Sequence, residues 1–197
     1  MIQLGIAPIG WTNDDLPELG GDITFEQCIS EMALAGYAGC EVGNKYPVHD
    51  RVYLKHMLDI RGISICNQWF SYEFSTKSFE EVKSDFIKQI DFLSFFGAKV
   101  VGGAETGNSI HGVYNKALNE RKSASDKIWK NLTNGLNELG NISTNEYGIK
   151  LSYHHHAGTM IESMNEVDRL LNETDDSIKM INLVSKTDDF IKNNKFT

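Results

Sequence analysis

The stretch LSYHHHAGTMIE, residues 151–162, concentrates side chains that could do chemistry, because three consecutive histidines are followed by a glutamate. Successive side chains of a β-strand point to opposite faces. His155 therefore shares the apolar face of Tyr153, while His154 and His156 share the other face. We expect His154 and His156 to point into a polar opening. His155 should lie outside this opening and hold a neighbouring side chain in place by a hydrogen bond.

Imidazoles together with the Glu162 carboxylate suit a divalent metal such as Mn²⁺, Co²⁺ or Zn²⁺. A complete zinc pattern such as His-Glu-x-x-His is absent from the sequence. The spacing alone therefore leaves open a metal site, a substrate grip and a purely structural role. The chain also lacks the glycine-rich patterns that cradle nucleotide phosphates, which argues against a nucleotide cofactor.

Short apolar runs alternate with helical patterns along the whole chain. Each helical pattern repeats apolar residues at spacings of three and four, and each run between them is typical of a buried strand. This alternation predicts a parallel sheet covered by helices, in a single domain over residues 1–197. The strand candidates are residues 2–8, 39–43, 63–70, 98–105 and 149–156, with a sixth at 178–184.

Polar residues stand at or just after the carboxyl end of each predicted strand. Carboxyl ends of parallel strands share one rim, where ligands bind in α/β proteins. The pattern therefore predicts a site for a small, hydroxyl-rich ligand. Lys45 either forms an ordinary ion pair with Glu41 or works as a desolvated acid or base. The rim candidates are Trp11, Asn13, Glu41, Asn44, Lys45, Asn67, Gln68, Trp69, Glu105 and the histidines.

Composition excludes several classes of partner. The formal net charge is −8, which disfavours binding to nucleic acid phosphates. No apolar run is long enough to span a bilayer, and no signal peptide is recognisable at the N-terminus. The three cysteines are far apart, which is typical of reduced, buried thiols. These features predict a cytoplasmic protein without a membrane or nucleic acid partner.

Four blocks of the sequence resemble the inosose dehydratases. They are LGIAPIGWTNDDLPELGGDITFEQCISEMALAGYAGCEVGNKYP, CNQWFS, GGAETGNSIHG and YHHHAGTMIE, and the resemblance covers roughly residues 2–175. It implies a TIM barrel of the xylose isomerase-like type. It also implies a carbon-oxygen lyase that removes water from 2-keto-myo-inositol (scyllo-inosose) in inositol catabolism, with Mn²⁺ or Co²⁺ as the cofactor.

The resemblance also implies roles for individual residues. Glu162 would be a metal ligand, while His154 and His156 would lie at the metal or the substrate. Lys45 and Glu41 would be acid–base or hydroxyl-gripping groups. The residues expected to line the pocket of a cyclic polyol ketone are Asn13, Asn67, Gln68, Trp69 and Glu105.

The sequence departs from the family at its C-terminal end. The Asp-Thr-Gly-His block expected on strand six is absent, and residues 177–197 form a divergent tail. We therefore expect an incomplete (β/α)₈ barrel of about five βα units plus a sixth strand, truncated at the C-terminus. Such a sheet leaves edges unpaired, so we expect marginal stability and impaired dehydratase activity.

Two alternative functions stay open from the sequence. One is a sugar isomerase or epimerase of the same barrel superfamily. The other is a non-catalytic barrel remnant whose strand edges pair with another chain. A homo-oligomer is compatible with either reading.

Overall fold

A computed structural model describes residues 3–113, 115–175 and 178–180 of the chain. Six strands alternate with five α-helices in this part. The strands are β1 (Gly5–Ile6), β2 (Gly39–Val42), β3 (Ser64–Tyr72), β4 (Val100–Glu105), β5 (Lys150–Tyr153) and β6 (Ile178–Met180). The helices are α1 (Phe25–Leu34), α2 (Arg51–Asp59), α3 (Phe79–Phe95), α4 (Asp126–Tyr147) and α5 (Met164–Glu173), with short 3₁₀ turns at Pro8–Gly10 and Leu118–Glu120.

The six strands form one parallel sheet in the order β1-β2-β3-β4-β5-β6. Each strand pairs with the next in sequence, which is the neighbour relation of a TIM barrel. Within the described residues β1 and β6 do not pair with each other, so the barrel is not closed. The expected α/β barrel type is confirmed, and so is a strand at the start of the 178–184 candidate.

Helix α3 shows how the sequence produces one layer of the fold. The Ser78 hydroxyl accepts a hydrogen bond from the backbone N–H of Glu81, and the Glu81 carboxylate accepts one from the backbone N–H of Ser78. This is the capping box that the spacing of the two residues predicts. The side chains of Phe86 and Ile90 then recur at helical spacing and are fully buried against the sheet. Burial of each such side chain contributes about 1.5–3 kcal/mol to folding.

The spacing of Ile128, Leu132, Leu136 and Leu139 predicts one buried stripe, and helix α4 buries a slightly different one. Leu132, Leu136 and Leu139 are fully buried, as the spacing predicts. At the start of the helix, however, Trp129 is buried, whereas the predicted Ile128 is only half-buried. The wide indole therefore extends the contact to the next position around the helix.

Strand β3 is longer than predicted, and its two halves pair with different neighbouring strands. It pairs with β2 through residues 64–68 and with β4 through residues 69–72. Asn67, Gln68 and Trp69 therefore lie in the middle of β3, and the prediction that they end the strand is wrong. The reason is the stagger of barrel strands, in which one strand serves two neighbours at different heights.

The spacing of Thr24 and Gln27 predicts a capping box, and the three cysteines are predicted to be buried; each prediction is wrong in one respect. Thr24 caps α1 by accepting from the Gln27 backbone N–H, but the Gln27 side chain donates to Glu31 instead of completing a capping box. Cys66 is exposed, whereas Cys28 and Cys40 are buried as expected. In the part of the chain that the structure describes, no helix is long and apolar enough to cross a bilayer.

Candidate functional site

Trp69 and the histidines after β5 come together on one face of the sheet. The Trp69 ring lies edge-on to the rings of His154 and His156, with centroid distances of 5.6 Å and 6.0 Å. The two imidazole centroids are 5.7 Å apart. The backbone N–H of His154 donates to the Gly103 carbonyl at 2.8 Å, so β4 fixes the point at which the histidines leave the sheet.

A third imidazole completes this group, which we term the histidine cluster: His111, His154 and His156. The His111 ring centroid is 4.3 Å from that of His156. Its Nε2 atom is 3.0 Å from the Asp15 carboxylate, which joins the loops after β1, β4 and β5. The sequence interpretation did not assign a role to His111, although it stands inside the GGAETGNSIHG block.

His155 differs from its two neighbours. Its Nδ1 atom is buried, and no residue that the structure describes forms a hydrogen bond with it. The predicted hydrogen bond from behind the site is therefore not found at this atom in the described part of the chain.

Glu41 is held by a chain of hydrogen bonds that crosses three strands. The Asn67 Nδ2 atom donates to Glu41 Oε2 at 3.0 Å. The Asn67 Oδ1 atom accepts from the backbone N–H of Gly102 at 2.8 Å. Asn67 thus links β2 to β4 from its position on β3, and it shares its strand face with Trp69, two residues on. Glu41 therefore lies on the face that carries the histidine cluster.

The environment shifts the pKa values of groups on this face in opposite directions. Burial raises the pKa of the Glu41 carboxyl; the Asn67 hydrogen bond opposes the shift, and the negative charge of Asp14 adds to it. Burial also raises the pKa of Asp14, against a hydrogen bond from the Asn44 N–H. Burial lowers the pKa of His154, and His156 and His155 lower it further. This face thus carries both an imidazole that favours its neutral form and a carboxyl that favours its protonated form.

Glu162 is engaged by protein groups on one of its oxygens. Its Oε2 atom accepts from the Gly158 N–H at 2.7 Å and lies 3.4 Å from Arg121 Nε. Arg121 donates through both terminal nitrogens to Glu166, with distances of 3.0 Å. Arg121 therefore holds the segment between β5 and α5 in place, a role that the sequence interpretation missed.

We predict that Arg121→Ala destabilises the chain by about 2 kcal/mol, because it leaves two half-buried carboxylates without their cation. Arg121→Lys should recover only part of the loss, since an ammonium cannot reproduce the two-pronged contact with Glu166. Urea denaturation measures both variants. Lys55→Ala, which removes an exposed i,i+4 pair with Asp59, is the control and should change stability by about 0.5 kcal/mol at most. Equal effects of Arg121→Ala and Lys55→Ala would contradict this assignment.

Lys45 does not pair with Glu41 in the described part of the chain. Its Nζ atom donates to the carbonyls of Gly20, Gly21 and Ile23 at 2.7–3.0 Å. It also lines a recess of about 420 Å³ beside the N-terminus of α1. The ammonium therefore fixes the loop after β1, and the ion pair considered from the sequence is not formed.

Asn13 and Gln68 do not contact the histidine cluster directly among the hydrogen bonds of the described residues. The Asn13 Oδ1 atom accepts from the backbone N–H groups of Asp15 and Leu16, which shapes the turn that carries Asp15. Strand alternation puts Gln68 on the face of Phe70 and Tyr72, which packs on helices. Their predicted contacts with a ligand stay predictions.

Glu105 lies behind the sheet and not on the face of the histidine cluster. It pairs with Tyr72 in the ladder, and Tyr72 packs near Phe86 of α3. The side chain is fully buried, and its Oε1 atom accepts from Ser75 Oγ at 2.7 Å and from the Gly107 N–H at 2.9 Å. Glu105 ends β4 as expected, but the strand register puts it on the face of Tyr72, so its predicted contact with a ligand stays a prediction.

The described residues supply only part of a metal site. No group of three or more His, Cys, Asp or Glu side chains within them is arranged to hold a metal ion. Glu162 offers one oxygen that Arg121 and Gly158 do not contact, and the histidine cluster offers imidazoles. These side chains do not fit a complete divalent-metal site by themselves.

Comparison with known proteins places the chain among relatives with one common name. An inosose dehydratase of Glaesserella parasuis is 54% identical over 180 residues, and one of Geobacillus thermodenitrificans is 54% identical over 175 residues. The chain is similar to these inosose dehydratases over about nine-tenths of its own length. The aligned residues make up 91% and 88% of the chain, but the chain spans only 60% and 58% of these two relatives. No protein-family model matches the chain.

Solved structures give the fold of the chain independently. A xylose isomerase-like TIM barrel protein from Mycobacterium smegmatis, in complex with magnesium, superposes with a TM-score of 0.66 at 14% identity, covering 91% of this chain and 65% of that one. The IOLI protein with a bound zinc atom also gives 0.66, at 15% identity, covering 91% and 62%. The chain therefore has the parallel α/β fold of a part of these TIM barrels.

Proposed function

We propose that the chain carries substrate-binding residues of an inosose dehydratase, an enzyme that removes water from 2-keto-myo-inositol. The identity of 54% over 180 residues to a protein of that name carries the proposal. The histidine cluster, Trp69 and Glu41 support it, because they combine proton-transfer groups with an aromatic face suited to a sugar-like ring.

The reaction requires two proton transfers. A C–H proton next to the ketone must leave to a base, and the hydroxyl on the following carbon must leave as water with a proton from an acid. We propose His154 as the acceptor, since its lowered pKa keeps the imidazole neutral. We propose Glu41 as the donor, since its raised pKa favours the protonated carboxyl. His156 and Trp69 would position the ring between these two groups.

A divalent metal, Mn²⁺ or Co²⁺, is part of the proposal. When bound, it would stabilise the negative charge that develops on the ketone oxygen. Glu162 is the described side chain from which it would take a ligand, through the carboxylate oxygen that Arg121 and Gly158 do not contact. Solved structures of the same fold contain magnesium or zinc, which supports a divalent ion.

Binding can be tested separately from turnover. We expect 2-keto-myo-inositol to change the tryptophan fluorescence of the purified chain in a saturable way, more strongly with Mn²⁺ or Co²⁺ present. Trp69→Phe should abolish the change, whereas Trp129→Phe should preserve it, because Trp129 is a buried residue of α4 whose ring is covered by Arg169 of α5.

The same titration separates the competing functions. myo-Inositol, which lacks the ketone, should bind more weakly than the ketone. A saturable response to ketohexoses but not to 2-keto-myo-inositol, together with ketose–aldose interconversion, would favour an isomerase or epimerase instead. No response to any of these ligands would reject the proposal.

A further inference from the structure

The side-chain amide of Asn67 has only one orientation that satisfies its neighbours. The backbone N–H of Gly102 needs an acceptor, and Asn67 Oδ1 supplies it at 2.8 Å. The opposite end of the amide must then be the NH₂ group, which faces Glu41 Oε2 at 3.0 Å. A flipped amide would place N–H against N–H on one side and oxygen against carboxylate on the other.

This arrangement fixes the orientation of the Glu41 carboxylate relative to the sheet. Gly102 stands opposite Trp69 in the β3–β4 ladder and opposite Ser152 in the β4–β5 ladder, so its N–H is fixed by three strands. Asn67 transmits that fixed position to one oxygen of Glu41. The other oxygen, Oε1, has no hydrogen bond to any residue that the structure describes, which leaves it available to a ligand.

We propose that Asn67 is a positioning residue: it orients the Glu41 carboxyl and controls its proton, and it does not bind substrate through its amide oxygen. This inference rests on the proposed function, because it assigns the role to a group of that reaction. It replaces the expectation that Asn67 only lines the polyol pocket, since both ends of its amide are already used by the protein.

Few charged groups surround Glu41, which makes the role measurable. Asp14, in the loop after β1, is the charged group that acts on Glu41. Cys40 precedes Glu41 on β2 and is a buried thiol whose pKa burial raises to about 12, so it stays neutral. The Lys45 ammonium is directed to the carbonyls of the loop after β1. A change at Asn67 should therefore appear directly in the titration of Glu41.

The test is a titration of the Glu41 carboxyl by NMR in the full chain with ¹³C-labelled glutamate, without substrate. Glu41→Gln identifies the resonance. We expect Asn67→Asp to raise the Glu41 midpoint by about one pH unit or more, because a second carboxyl replaces the donor. Asn67→Ala should raise it by less, since it removes the donor without adding charge.

Asn137→Asp is the matched control. Asn137 Oδ1 accepts from the Asp175 N–H on another part of the molecule, and aspartate keeps that acceptor. This variant makes the same chemical change and should leave the Glu41 midpoint within about 0.2 pH units of the original. A change at Asn67 that had only a general effect on charge or stability would move both variants alike.

A measurement on the unmodified chain guards against variants that do not fold. The Asn67 side-chain NH₂ resonances should shift with the same midpoint as the Glu41 carboxyl. The inference is overturned if these resonances do not follow Glu41, or if Asn67→Asp leaves the Glu41 midpoint unchanged. Either result is independent of whether the chain binds 2-keto-myo-inositol, so failure of this inference and failure of the proposed function are distinguishable.

Discussion

Gly103→Ala should destabilise the chain by about 3 kcal/mol or more, because the added methyl group has no space. A Cβ atom at Gly103 would overlap the Phe70 carbonyl oxygen and lie 2.6 Å from the carbonyl carbon. The obstacle is the backbone of β3, which cannot turn aside as a flexible side chain could. To admit the methyl group, β3 and β4 must separate, which would break the pairing of residues 69–72 of β3 with β4.

Gly10→Ala is the matched control for this prediction. A Cβ atom at Gly10 would have no heavy atom within 4 Å, so the same substitution should change stability by about 0.5 kcal/mol at most. Urea or thermal denaturation of both variants gives the comparison. If Gly103→Ala were as stable as Gly10→Ala, the close approach of β3 and β4 would be refuted.

Glu105→Ala should cost about 3 kcal/mol, the second large effect. The substitution leaves Ser75 Oγ and the Gly107 N–H without their buried acceptor and opens a cavity behind the sheet. Asn108 donates to the same Ser75 hydroxyl, so the loops after β3 and β4 would loosen together. Because His111 is on the second of these loops, its contact with His156 should weaken as well.

Glu105→Gln should keep most of the stability and remove a pH dependence. Burial raises the pKa of the Glu105 carboxyl, although hydrogen bonds from Ser75 and Gly107 oppose the shift. The folded state therefore binds this proton more tightly than the unfolded state. The buried, protonated Glu105 carboxyl therefore adds to the free energy of unfolding. This contribution is complete below the unfolded-state pKa of about 4.3 and is lost as the pH rises through the higher folded-state pKa.

Urea denaturation at several pH values between about 4 and 8 separates the three forms of residue 105. The free energy of unfolding of the unmodified chain should fall relative to that of Glu105→Gln as the pH rises, and the difference should level off at high pH. A difference that grew in the opposite direction would mean that Glu105 is ionised in the folded state. Glu105→Ala should be the least stable of the three below the unfolded-state pKa.

The layered α/β fold could be predicted from the sequence because its signals are local. The stripe of Phe86 and Ile90, the Ser78–Glu81 cap and the apolar runs of the strands are each set by residues within one element. The boundaries of β3 could not be predicted, because its last residues are strand only through pairing with β4. Local propensity does not contain the stagger between neighbouring strands.

The candidate site could be predicted where two residues share one strand end. His154 and His156 stand two apart, and both rings do lie against Trp69. The approach of His111, with Asp15 behind it, joins loops that are 96 residues apart in sequence. Nothing in the spacing of either residue indicates the other, so this part of the site was missed.

The sequence by itself determined the parallel α/β architecture, the caps of its helices and the concentration of imidazoles after β5, because these depend on short-range periodicity and residue chemistry. Only the tertiary structure decided which polar side chains face a ligand. The register between β3 and β4 puts Glu105 on the face of Tyr72, and the register between β2 and β3 sets Asn67 opposite Glu41. The carbonyls of the loop after β1 occupy the Lys45 ammonium. These outcomes depend on hydrogen bonds between residues far apart in the chain, whose partners exist only once the strands are aligned.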